Sequence, residues 1–175
     1  MVALFPSREE RAWVRGAQAG SAADLEALFR AHWPRAFRAA YLVVHDAAAA
    51  EDIAQEAFLA AIRRLDRFDR RRPFGPWLHR IAVNRAIDWA RSRQLRAEVE
   101  LAGERAWEDA RDLSDETVAA LARLTPEHRA VIVLRHLLGY SPAEIAELLG
   151  LPRGTVNSRL RRGLDTLKEA VSREA

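Results

Sequence analysis

An all-α fold of two small helical domains joined by an acidic linker is the architecture this sequence predicts, on three observations. Ala, Leu, Arg and Glu dominate, whereas Gly (8) and Pro (7) are few, a mixture of strong helix formers with few breakers. No run alternates apolar and polar residues with β-branched side chains, so no sheet is expected. Charge is also segregated: residues 60–96 hold eleven Arg against three Asp, residues 97–116 hold eight acidic residues against two Arg, and the last segment turns basic again. The net charge of +3 averages over these blocks. Their order suggests two anion-binding modules and a tether of opposite sign.

Taken in order, "SREERAWVRGAQ" reads as a short helix with Ser7 as its N-cap. "GSAADLEALFRAHWPRAFRAAYLVV" reads as a longer helix from about Ser21, which Pro34 is expected to bend or break. Asp46 caps the next, "DAAAAEDIAQEAFLAAIRRL", and "DRFDRRRPFGP" forms a loop. "PWLHRIAVNRAIDWARSRQ" is again helical, with Pro76 in its first turn. These elements make a first domain over 7–95. From there to about 113 apolar periodicity weakens and acidity rises, which marks the linker, 96–113. The second domain, 114–173, holds four helices. Ser114 caps one with Asp115 and Glu116 in its first turn, Thr125-Pro126 starts "PEHRAVIVLRHLLG", Ser141-Pro142 starts "PAEIAELLG", and Pro152 or Arg153 starts the last. Gly139 and Gly150 end the middle two.

The last two helices have helix-turn-helix spacing. Ala146 is small enough for close packing, Gly150 permits the left-handed turn, and Val156 anchors the second helix on the first. Val156, Leu160, Leu164, Leu167 and Val171 form one apolar stripe. Thr155, Asn157, Ser158, Arg159, Arg161 and Arg162 are left outside it, and Arg153 precedes them. Arg suits phosphate or guanine, Asn suits adenine, and Ser or Thr suits either purine edge. The helix N-terminus is where recognition helices usually meet bases. A solvent-exposed basic helix on a bundle is the blander reading; the agreement of turn, stripe and outward chemistry favours DNA.

In the first domain, Arg80, Asn84, Ile87 and Arg91 share one side of a helix at 100° per residue, while Trp77, Leu78, Ala82 and Trp89 take the other. The tryptophans are therefore expected in the core. The polar stripe continues the basic loop of Arg67, Arg70, Arg71 and Arg72. Loop and stripe fit either a single strand with one splayed base or a solvated basic surface. On the preceding helix Asp52, Gln55, Glu56, Leu59 and Arg63 make a stripe with one leucine among charges. It fits a protein-docking face or an ordinary solvated one.

Other functions are disfavoured. There is no cysteine, so no disulfide, thiolate chemistry or Cys-based zinc site is available, and a reducing cytosol fits. His32, His45, His79, His128 and His136 form neither HExxH nor a ligand cluster, and "GLPRGTVNS" is not a phosphate loop. No enzyme activity, metal or cofactor is expected. "MVALFPSREER" lacks a signal-peptide core, and no stretch reaches the roughly 18 apolar residues of a membrane span. A soluble, cytoplasmic protein without membrane insertion is expected.

"AEDIAQEAFLAAIRRL", "FGPWLHRIAVN" and "LARLTPEHRAVIVLRHLLGYSPAEIAELLGLPRGTVNSRLRRGLDTLK" occur in that order. Together they resemble the extracytoplasmic-function (ECF) sigma factors of bacterial RNA polymerase, in the sigma-70 family, over about residues 10–171. The resemblance implies a region 2 and a region 4. The first would bind the clamp of the largest polymerase subunit through Asp52, Gln55, Glu56 and Leu59. Its loop from Arg67 to Phe74, with Arg80, Asn84 and Arg91, would read and open the −10 element as single strand. The second would pack on the polymerase flap and set Arg153, Thr155, Asn157, Ser158, Arg159, Arg161 and Arg162 in the −35 major groove. Arg161 stands where relatives can carry an aromatic residue. The linker would thread toward the RNA exit path, and an anti-sigma factor is a possible partner. The alternative is a stand-alone helix-turn-helix regulator, which would dimerise on a palindromic operator; the first half shows no receiver or ligand-binding signature.

Overall fold

The computed structural model describes residues 6–97 and 115–174, and among these there is no strand. Among the described residues eight α-helices follow one another: α1 (Arg8–Gln18), α2 (Ala22–Val44), α3 (Ala47–Ile62), α4 (Phe74–Ala97), α5 (Asp115–Ala122), α6 (Pro126–Ile132), α7 (Pro142–Leu149) and α8 (Arg153–Glu174). A 3-10 turn, Leu65–Arg67, precedes α4, and a π-helical segment, Val133–Leu137, extends α6. The acidic linker and the Ser114 cap lie outside the described residues, except that α4 runs two residues into the expected linker.

The caps follow the sequence. Ser7, Ser21, Asp46 and Thr125 each accept a backbone N–H three residues on. Ser141 and Glu144 complete a reciprocal capping box. Gly139 and Gly150 adopt φ of 76° and 66°, the left-handed region where a Cβ is costly.

Pro34 does not break α2. It is exposed, as is Arg30, whose carbonyl would have received the missing N–H, so water can satisfy that group. An aromatic ladder on the same helix runs past the proline: Phe29–Trp33 at 4.8 Å, Trp33–Phe37 at 6.3 Å and Phe37–Tyr41 at 6.3 Å between centroids. Spacing of four residues brings each ring over the next.

α2 is the central helix, packed by α1, α3 and α4. One apolar cluster, including Val14, Leu28, Phe58, Leu65, Phe74 and Leu78, lies at the α1 end. A second cluster crosses between the halves of the chain, joining Phe37, Tyr41, Leu42, Val43, Ile53, Val83 and Ile87 to Leu121, Val131, Leu134, Ile145 and Val156. The two domains thus share a core.

Polar groups complete that seam. Arg129 is buried. Its Nε donates to the Leu121 carbonyl (2.8 Å), its Nη2 to those of Ala122 (2.9 Å) and Leu124 (2.8 Å), and its Nη1 to that of Val43 on α2. Burial brings its pKa down to about 10, so it stays charged at neutral pH. His79 Nδ1 of α4 shares a hydrogen bond of 2.8 Å with the Tyr140 hydroxyl. Arg91 of α4 meets Glu127 of α6 at 2.5 Å.

The stripe on α8 differs from expectation at one place. Val156 and Leu160 are buried, but Leu164 is 37% exposed. Gly163 takes the contact instead: a Cβ there would lie 3.0 Å from Ile132. The close approach of α6 at the glycine turns Leu164, at 80° from Val156, out of the seam. The side chain of Val171 lies outside the described ones.

Two predictions follow from the seam. Arg129→Met removes the guanidinium donors from four carbonyls, of which that of Leu121 keeps the Leu124 N–H at 3.1 Å, and should cost about 3 kcal/mol, seen as a lower urea midpoint. Acid should destabilise the fold as well. Burial, with His32 and Arg35 adding, lowers the pKa of His79 from 6.5 to about 3. Burial, with Arg129 adding, lowers that of His45 to about 4. Below 6.5 the unfolded chain then binds more protons than the folded one. Stability is complete above pH 6.5 and falls as pH drops below it, by up to about 1.4 kcal/mol per pH unit for the buried His79 and less for the half-buried His45. Urea titrations across that range should show the loss, and His79→Gln should flatten it.

Candidate nucleic-acid interface

The first turns of α8 are held by the turn before them: the N–H groups of Thr155 and Val156 donate to the Pro152 carbonyl at 2.9 and 3.2 Å. With Val156 buried as the pivot, Arg153, Asn157, Arg161 and Arg162 are exposed, and Thr155, Ser158 and Arg159 half-buried. All seven expected residues are therefore at least partly accessible. Among the described residues none of these four arginines is in an ion pair. The pKa of His128 is lowered by burial first, then by Arg159. Arginines without a paired carboxylate suit a polyanion.

The α4 face is less continuous than its sequence suggests. Arg80 is exposed and Asn84 half-buried, but Ile87 is only 6% exposed and belongs to the shared core. Arg91 lies beyond it, engaged with Glu127 and 3.9 Å from Asp88. The stripe therefore divides where the second domain packs on α4. The tryptophans are half-buried rather than fully interior. Trp77 stacks on Phe68 at 4.6 Å, and Arg93 sits over Trp89 at 5.1 Å.

The basic loop keeps Arg67, Arg70, Arg71 and Arg72 exposed. Arg71 donates to Asp69 (3.0 Å) and holds that carboxyl below its usual range. Arg67 lies 3.8 Å from Asp66. Phe74 corrects an expectation: it is 2% exposed, ringed by His32, Phe68, Trp77 and Phe58. Its ring is the floor beneath the loop and offers no open face to a base, because α4 begins at this residue and turns it inward. Beside the loop Phe68 and Trp77 stack on each other, both half-buried against the core, a pair that no spacing rule singled out.

On α3 the expected stripe is intact. Asp52, Gln55, Glu56, Leu59 and Arg63 are all exposed, Leu59 at 50%. Ile62 and Phe29 add apolar surface at 39% and 40%, Phe29 reaching α3 through Phe58 at 4.9 Å. Glu56 pairs with Arg85 of α4, and Gln55 with Glu51 at 3.3 Å. Among the described residues there is no metal-binding cluster, and no helix is long and apolar enough to cross a membrane.

Comparison with known proteins decides the family. The sigma-70 region 2 model matches residues 28–96, and the sigma-70 region 4 model matches residues 114–167. The chain belongs to the ECF sigma factors of the sigma-70 family. It is 37% identical over 165 residues to the ECF RNA polymerase sigma factor SigL of Mycobacterium tuberculosis, covering 89% of this chain and 93% of that one. It is 34% identical over 153 residues to SigW of Bacillus subtilis (strain 168), covering 77% and 82%. The structure of CnrH in complex with the cytosolic domain of CnrY matches with a TM-score of 0.73 and 29% identity, over 95% of this chain and 99% of that one. Bartonella quintana RpoE, in complex with the anti-sigma factor NepR, matches with a TM-score of 0.72 over 85% and 97%; at 23% identity this concerns the fold alone.

A sigma factor binds core RNA polymerase and directs initiation at promoters. The two matched regions are the two halves that share the seam. In this sigma factor Asn157→Ala and Arg161→Ala should each weaken duplex promoter binding, by about 1–3 kcal/mol where a bidentate base contact is lost. Fluorescence anisotropy on labelled duplex checks this; unchanged affinity in both would remove them from the interface.

Proposed function

We propose that the two halves of this sigma factor act on different promoter elements through different chemistry. α8 lies in the −35 major groove, with Arg153, Thr155, Asn157, Ser158, Arg159, Arg161 and Arg162 on bases and phosphates. The loop arginines Arg67, Arg70, Arg71 and Arg72, with Arg80 and Asn84, hold the −10 element as single strand, and Arg91 joins them once it leaves Glu127. Asp52, Gln55, Glu56 and Leu59 dock on the polymerase clamp. The units are residues 7–95 and 114–173. The sigma factor works in the cytoplasm and catalyses no bond chemistry of its own; its contribution is differential binding.

The observation that carries the reading is the split between unpaired and paired charge. Among the described residues Arg153, Arg159, Arg161 and Arg162 meet no carboxylate, whereas the α3 stripe is acidic and apolar together. The first suits a polyanion and the second a protein surface. An anti-sigma partner is part of the proposal, supported by the 29% relative having been solved with the cytosolic domain of CnrY.

Geometry adds that the packed form must open. Elements at −10 and −35 lie about 25 base pairs apart, about 85 Å along duplex. A compact chain of this length has a radius of gyration of about 16 Å. It cannot reach both while the seam is closed. Polymerase would hold the halves apart and make the second contact intramolecular. Extruding a base costs a few kcal/mol, which the loop and Asn84 offset only for a base that fits.

Two variants test the assignment. Asn84→Ala should slow promoter opening, followed by permanganate reactivity, while leaving −35 duplex affinity intact. Asp52→Arg with Glu56→Arg should abolish core polymerase capture with both domains folded by circular dichroism. Normal opening in the first, or undiminished capture in the second, would refute the corresponding surface.

A further inference from the structure

Helix α1 lies outside the residues matched by either family model, yet it ties down both ends of the basic loop. At the entry, Gln18 Nε2 donates to the carbonyls of Leu65 (2.8 Å) and Phe68 (3.0 Å). Leu65 opens the 3-10 turn and Phe68 is the residue that caps its end, so one amide holds its shape. At the exit, Glu10 Oε1 accepts from the Phe74 N–H at 3.2 Å and lies 3.0 Å from His32 Nε2. That bond satisfies an otherwise orphaned N–H at the start of α4 and sets a carboxylate at its positive end. Glu10 and Gln18 are eight residues apart on α1, about 12 Å along its axis. Between the two ties, residues 69–73 carry Arg70, Arg71 and Arg72.

We infer that Gln18 and Glu10 are positioning residues for −10 recognition: α1 is a rigid spacer that fixes both ends of the loop. The loop arginines and the Phe68–Trp77 stack are thereby presented beside Arg80 and Asn84 before DNA arrives. A free loop would have to be ordered on binding, and that loss would come out of the affinity for the strand. A tied loop has lost that freedom already in folding, so capture of an extruded base is faster and tighter. The inference rests on the −10 reading above.

Gln18 is the residue to probe, because Glu10 is buried against His32 and its loss would disturb the fold. Gln18 Oε1 has no partner, so only the donor matters. Gln18→Met keeps the shape without a donor; Gln18→Lys restores a donor at similar reach. Each is assembled with core polymerase on a promoter where the unmodified sigma factor initiates, beside the loop variant Arg70→Ala with Arg72→Ala. Opening rate, core affinity and −35 duplex affinity are read together.

Gln18→Met should slow opening roughly five- to tenfold, the worth of about one net hydrogen bond. Core and −35 affinities should not change, and Gln18→Lys should recover most of the rate. If the loop variant opens slowly and Gln18→Met opens normally, the positioning role is wrong and the −10 reading stands. If neither slows opening, both fall. If Gln18→Met lowers all three readouts together and Gln18→Lys does not restore opening, α1 merely stabilises the domain and the inference is overturned.

Discussion

Two helix ends meet at one guanidinium. Arg129 lies between the C-terminus of α2, at Val43, and the segment from Leu121 to Leu124 that ends α5. Both ends present carbonyls of a last helical turn, that of Leu121 shared with the Leu124 N–H at 3.1 Å, and both carry the negative pole of a helix dipole. A planar fork of five donors matches that geometry as an ammonium cannot. The carbonyls compensate the desolvated charge, and the charge compensates them. Neighbouring side chains feel its presence, since Arg129 adds to burial in keeping His45 neutral.

The apolar contacts around this point make the halves of the chain one core. α6 packs on α2 and α4, and α7 on α4. The long central helix makes this possible. α2 continues through Pro34 because the lost hydrogen bond faces water and a run of stacked rings holds the next turns in line. Had α2 broken there, Val43 would not lie where Arg129 reaches it. The same seam buries Ile87 and pairs Arg91 with Glu127. The closed form therefore covers part of the surface that the proposed −10 contacts use.

Whether an arginine is paired distinguishes the surfaces more clearly than arginine content does. Arg71, Arg85, Arg91 and Arg93 each meet a carboxylate. Exposed pairs of this kind are weak, so a phosphate can replace the partner at little cost. The Arg91–Glu127 pair differs because it crosses the seam, and its exchange is tied to separation of the domains. Arg153, Arg159, Arg161 and Arg162 of α8 meet no carboxylate among the described residues, and their positive potential is available at once.

Much of this was legible in the amino-acid order alone. Caps at Ser7, Ser21, Asp46, Thr125 and Ser141, the left-handed stop at Gly150 and the outward chemistry of α8 are local facts, set by a side chain and the backbone within four residues of it. The α3 stripe followed from periodicity for the same reason. Other features needed the tertiary structure. Phe74 became a buried floor, Ile87 left the polar stripe, Gly163 displaced Leu164, and Gln18 found carbonyls about fifty residues away. Each depends on which helix packs on which, and on the handful of degrees by which a packed face is rotated. Period and composition carry no record of that rotation, because it is settled by partners distant in sequence.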